Sequence, residues 1–191
     1  HSNLRRQRQM CIRDSPFDDP YTIAGQGTVG KEILETNDDL DAIFVPVGGG
    51  GLLAGVSAWI AQNNKKIKIY GVEVDDSACL YEALKANKRV RLKSVGIFAD
   101  GVAVEQVGKN NFDVIKECID GVITVTIDEV CAAVKDLFED TRVMSEPAGA
   151  VALAGLKKYA SKKKKNLLAI SSGANLNLSL IHISEPTRPL I

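Results

Sequence analysis

The sequence contains no apolar run approaching the roughly 18–20 residues of a membrane-spanning helix, which argues against a membrane role. Histidine is nearly absent, with only His1 and His182, both near the ends. Aromatic residues make up 5% of the chain, and there is one Trp. The four cysteines form no CxxC pair, which fits free thiols in a reducing cytosol better than a disulfide frame or a zinc site. An excess of either charge is also lacking. The 24 basic and 24 acidic side chains cancel, so bulk electrostatics draw the chain neither to nucleic acid nor to a membrane surface. What is present is 45% hydrophobic and 25% charged residues over 191 positions. That composition is globular, and the length suits one α/β domain or part of a larger one.

The two ends differ from the rest. Residues 1–15 read HSNLRRQRQMCIRDS, with four arginines and no apolar periodicity, and residues 178–191 read LSLIHISEPTRPLI. Both resemble in-frame translations of a sequencing-library adapter, so they are set aside as non-native. The alternative is a natural basic leader and tail. Setting them aside leaves Pro16–Asn177, 162 residues. Removing the five arginines and two carboxylates of the flanks leaves 19 basic and 22 acidic side chains, net −3. This segment has no His, so imidazole acid–base catalysis and His-ligated metals are unavailable to it. Cys79, Cys118 and Cys131 remain.

Along the segment, strand-like and helix-like stretches alternate. Ala42–Val47 is a short apolar run that ends in four glycines and reads as a buried strand. Leu52–Gln62 reads as helix, Lys66–Val74 as strand, and Ala78–Ala86 and Asn110–Cys118 as helices. Val122–Thr126 is rich in β-branched residues and suits a strand. Asp128 is placed as the cap of the next helix, Pro147 in the first turn of the one after, and Leu167–Ser171 as a last strand. The lysine run 162–165 reads as a solvated turn. This order predicts an α/β fold with a mostly parallel sheet and helices on both faces. It is expected to be one domain cut at both ends.

The glycines Gly48, Gly49, Gly50 and Gly51, followed by Leu52, lie between a predicted strand and a predicted helix. Glycines let the backbone approach a ligand closely, and N–H groups at a helix start favour a phosphate. No Lys-Ser/Thr follows, so this is not a nucleoside-triphosphate loop, and the dinucleotide GxGxxG fingerprint is absent. A phosphate cradle and a tight structural turn are both open readings. The second feature is Ser171–Asn175, after the last strand. Ligands collect at the carboxyl ends of parallel strands, where a serine hydroxyl can donate to a ring nitrogen. A serine before glycine is also an ordinary turn residue.

Taken together, VPVGGGGL (Val45–Leu52), FADGVAV (Phe98–Val104), CAAVKDLFEDTR (Cys131–Arg142), SEPAGAVALAGLKKY (Ser145–Tyr159) and SSGAN (Ser171–Asn175) resemble the biosynthetic threonine dehydratases. Those are fold type II pyridoxal-phosphate enzymes, related to serine racemase. PYTIAGQGTVGKEILE (Pro20–Glu35) fits the same pattern, so the resemblance spans Pro16–Asn177. It implies pyridoxal 5'-phosphate as cofactor, with Gly48–Leu52 cradling its phosphate and Ser172 contacting its pyridine nitrogen. It also implies a small amino-acid substrate, L-threonine, converted to 2-oxobutanoate and ammonia for isoleucine synthesis, in a cytoplasmic homo-oligomer. It places Glu73 near the cofactor, against the alternative of a carboxylate facing water. The region of Asp100 is associated with divalent cations in racemase-like relatives, but one carboxylate without a partner gives no metal site.

The family's catalytic residue is a lysine that binds the cofactor covalently, in an SxKxRG-like motif of the amino-terminal part of the family. No such motif occurs here, and residues 162–165 are too highly charged to replace it. The chain is therefore expected to carry the phosphate and pyridine half of a site and no catalytic residue of its own. A serine racemase or serine dehydratase relative, or a non-catalytic anion-binding domain, are the alternatives.

Overall fold

The computed structural model describes residues 17–37, 39–160 and 166–175. The two flanks set aside above, the ends Pro16 and Asn177 of the segment between them and the lysine run lie outside the described residues. The elements are α1 (Pro20–Thr36), β1 (Ala42–Pro46), α2 (Gly51–Asn63), β2 (Lys68–Val74), α3 (Cys79–Lys85), α4 (Lys109–Cys118), β3 (Gly121–Val125), α5 (Ile127–Thr141), α6 (Pro147–Ala160) and β4 (Leu167–Ala169). Two 3-10 turns, Asp75–Ser77 and Asp100–Val102, lie in the connections.

The four strands form one parallel sheet in the order β3-β2-β1-β4. Ala42 pairs with Lys68 on one side of β1 and with Leu167 on the other. All five residues of β1 are buried, as a central strand covered on both faces must be. Its side chains alternate between two cores. Ile43 and Val45 join Leu53, Ile60, Leu80 and Ile115 on the face covered by α2, α3 and α4. Ala42 and Phe44 join Val130, Ala133, Val151 and Ala154 on the face covered by α5 and α6. The expected α/β sheet with helices on both faces is therefore what the chain forms. Phe44 anchors the second core, its ring centroid 5.6 Å from that of Tyr70 and 5.2 Å from that of Tyr159.

The helix starts follow local chemistry. Asp19 caps α1 by accepting from the N–H groups of Tyr21 and Thr22, with Pro20 in the first turn. The expected cap at Asp128 is corrected. Thr126 is the N-cap of α5, and its side chain accepts from Glu129 N while Glu129 accepts from Thr126 N. This reciprocal capping box satisfies two donors at once and places Asp128 inside the first turn, where its charge suits the helix dipole.

Candidate functional site

The strand order sets where a ligand can sit. From β1 the chain builds outward to β2 and β3, then returns to lay β4 on the far side of β1. The boundary between β1 and β4 is thus the point where the order reverses, and it is at such a point, at the carboxyl ends of the strands, that an open parallel sheet has its ligand crevice. Gly48–Gly51 leaves β1 at that edge, and Ser171–Asn175 leaves β4 beside it, with Ile170 N donating to Phe44 O at 3.0 Å. The two features that stood out in the sequence flank one crevice.

The glycine loop is held from inside. Gly48 O accepts from the Cys79 thiol at 3.8 Å, Gly49 O from Gly108 N at 3.0 Å and Asn111 Nδ2 at 2.8 Å, and Gly50 O from Ala54 N at 2.9 Å. Among the described residues, no acceptor takes the N–H of Gly48, Gly49, Gly50 or Gly51. Those donors are at the start of α2, which adds its dipole to an anion-favouring end. Gly50 has φ +92°, and a Cβ there would lie 3.0 Å from Ile115 Cδ1 and 3.1 Å from Val107 Cγ2. The ring of Phe17 lies against Gly49 too closely for any side chain there. Such a loop suits a phosphate group, because it offers backbone donors and no acceptor.

Ser172 is exposed at the carboxyl edge, where its hydroxyl is free to face a ligand. Its loop is tied to the start of α6. Glu146 N donates to Gly173 O at 3.2 Å, and Asn175 N donates to Glu146 Oε2 at 3.1 Å. Gly173 has φ +115°, and a Cβ there would run into the Glu146 carboxylate. The Asp100–Val102 turn closes the ring of segments: a Cβ on Gly48 would meet Val102 Cα at 3.1 Å, and one on Gly101 would meet Ala148 Cβ at 2.9 Å. Four of the five motifs quoted above therefore meet at one edge of the sheet. Leu52, in the first turn of α2, is half-buried at the same place.

Glu73 is fully buried and does not face water. Its carboxylate accepts from Leu80 N and Tyr81 N, both at 2.8 Å, and so ties the end of β2 to α3. Burial pushes its pKa up to about 7, against the lowering effect of those two bonds. Cys79, beside it, is pushed up to about 12 by burial and by the Glu73 charge, so its thiol is neutral. Asp100 is exposed and accepts from Gly101 N at 2.9 Å. Among the described residues no three His, Cys, Asp or Glu side chains gather in a group that could hold a metal. Sequence reasoning missed Asn111, Asp18 and Glu146, whose long-range partners lie 27 to 94 residues away in the chain.

The family of pyridoxal-phosphate dependent enzymes matches residues 2–173. The chain is 53% identical over 174 residues to the L-threonine dehydratase biosynthetic IlvA of Pasteurella multocida, covering 89% of this chain and 34% of that protein. It is 51% identical to the IlvA of Escherichia coli over the same shares. Among solved structures, the processed form of threonine deaminase isoform 2 from Solanum lycopersicum superposes with a TM-score of 0.86 at 44% identity, covering 89% of this chain and 50% of that one. Maize serine racemase superposes with a TM-score of 0.82 at 31% identity, covering 89% and 55%. The chain spans about a third of the length of the curated relatives it matches. With its parallel sheet, its donor-only glycine loop and this match, the chain belongs to the family of pyridoxal-phosphate dependent enzymes, fold type II.

Proposed function

We propose that this chain is the phosphate-and-pyridine part of a threonine dehydratase that converts L-threonine to 2-oxobutanoate and ammonia. The observation that carries the reading is the loop Gly48–Gly51, with its carbonyls tied inward and its N–H groups left for an anion, beside Ser172 at the same crevice. The choice of threonine dehydratase over serine racemase rests on identity: 53% to the Pasteurella enzyme against 31% to the maize racemase. Pyridoxal phosphate, when bound, supplies the electron sink that makes the substrate's Cα–H bond acidic. The chain's own residues hold and orient it. Gly48–Gly51 and Leu52 would donate backbone N–H groups to its phosphate. Ser172 would donate its hydroxyl to the pyridine nitrogen and, unlike an Asp carboxylate, would not hold that nitrogen protonated. Through that contact Ser172 would weaken the electron sink of the bound ring, which would disfavour transamination relative to loss of the β-hydroxyl.

In this reading residues 16–177 are the native segment, and resequencing the locus tests that boundary, since the family match extends to residue 2. The catalytic lysine comes from outside the sequence given. The enzyme feeds isoleucine synthesis, a reading in keeping with the word biosynthetic in the names of the bacterial relatives, and works as a homo-oligomer in the cytoplasm. No described helix is long and apolar enough to cross a membrane. The deciding experiment uses the complete enzyme carrying this segment. Ser172→Ala should lower the rate of 2-oxobutanoate formation roughly tenfold, the value of one hydrogen bond of about 1.4 kcal/mol, while cofactor absorbance stays bound. Unchanged kinetics would remove Ser172 from the site.

A further inference from the structure

In a planar trans peptide, the carbonyl of one residue and the N–H of the next point in opposite directions. Whatever fixes a loop carbonyl inward therefore aims the following N–H outward. The Cys79 thiol fixes the carbonyl of Gly48 and so aims Gly49 N–H. Ala54 N fixes Gly50 O and so aims Gly51 N–H. The central peptide, Gly49–Gly50, is fixed by two donors, Gly108 N and Asn111 Nδ2.

Asn111 is unlike the other supports. Its side chain is fully buried in α4, and it donates both amide hydrogens to backbone carbonyls, Gly49 O at 2.8 Å and Phe17 O at 2.7 Å. Its Oδ1 has no partner among the described residues. An unpaired buried acceptor is unfavourable, and the two donated bonds are what offset it. The residue is held in turn by Asp18, whose carboxylate accepts from Lys109 N at 2.7 Å and Asn111 N at 3.2 Å at the start of α4. The thiol contact to Gly48 is a weak bond by comparison.

We propose that Asn111 is a positioning residue for the phosphate cradle: its amide locks the Gly49 carbonyl inward and so aims the Gly50 N–H at a phosphate monoester. This rests on reading the glycine loop as the phosphate site. Asn111 touches no ligand itself. It acts through the Gly49–Gly50 peptide, with the Phe17–Asp18 segment clamped on the other side.

The test is the selectivity of the 191-residue chain for pyridoxal phosphate over pyridoxal, which lacks the phosphate. Both ligands are titrated to millimolar concentration, with binding read by ligand fluorescence and by phosphorus NMR of the phosphorylated one. The wild-type chain should prefer pyridoxal phosphate. Asn111→Ala should lower that preference about tenfold, with pyridoxal affinity unchanged. Circular dichroism checks that the variant is folded, and if it is not, Asn111→Ser, which keeps one donor, should lower the preference several-fold. A folded variant that keeps the full preference overturns the role of Asn111 and leaves the phosphate reading standing. A wild-type chain that binds both forms equally, or binds neither, overturns the phosphate reading and this inference with it.

Discussion

Glu73 keeps a carboxylate where water does not reach it, and that has a consequence for stability. Its folded pKa, about 7, lies above the ordinary 4.5. Between those values the folded chain holds a proton that the unfolded chain has released, so stability falls as pH rises through that window and levels off above it. The span is worth roughly 3 kcal/mol at 1.36 kcal/mol per pH unit. Glu73→Gln cannot ionise and should abolish this slope. It also turns one acceptor into a donor facing Leu80 N or Tyr81 N, a loss of about 1 kcal/mol. The comparison is therefore between slopes of urea midpoint against pH from 4.5 to 8, not between midpoints at one pH. If the Gln variant keeps the wild-type slope, another group is responsible. The sequence placed Glu73 at the end of a strand correctly, but not its role. A carboxylate that receives two N–H groups from the next helix leaves no local signature.

At the scale of elements, what was legible followed from periodicity. The apolar run after Leu40 became the central strand, and the small, apolar stretch after the glycines became α2, each within about two residues of the reading. The start of α5 was misplaced because Thr126 ends a β-branched run and looked like strand. Only the side-chain pair with Glu129 distinguishes a cap from a last strand residue. Because that box holds two orphan donors, Thr126→Ala should destabilise the chain by about 1 kcal/mol, measured by thermal or urea unfolding. Thr126→Ser should retain most of the stability, since it keeps the hydroxyl. Equal stability of the Ala variant would mean the start of α5 is set by packing of Val130 and Ala133 instead.

At the scale of the whole molecule, both walls of the site could be read and their supports could not. The glycines and Ser172 sit at sequence positions where strand chemistry ends, so a local pattern marks them. Asn111 and Glu146 reach the crevice only because the sheet order brings α4 and α6 to one edge, and that order is not written in any short stretch of sequence. The same topology bears on activity. The crevice between β1 and β4 gathers backbone donors and a serine hydroxyl, and the described residues include no lysine in the segments that form it. A desolvated lysine with a lowered pKa is what proton removal at Cα requires, and every described lysine of this chain is exposed to solvent. The 191-residue chain, supplied with pyridoxal phosphate and L-threonine, should therefore release no ammonia above the rate of the cofactor alone, in a coupled assay run for hours. Release above that background would show that some lysine of this chain serves as the base, and the division of the site into two halves would have to be abandoned. If instead activity appears only when a lysine-bearing amino-terminal portion of a family member is added in trans, the half-site is competent and the missing chemistry is located.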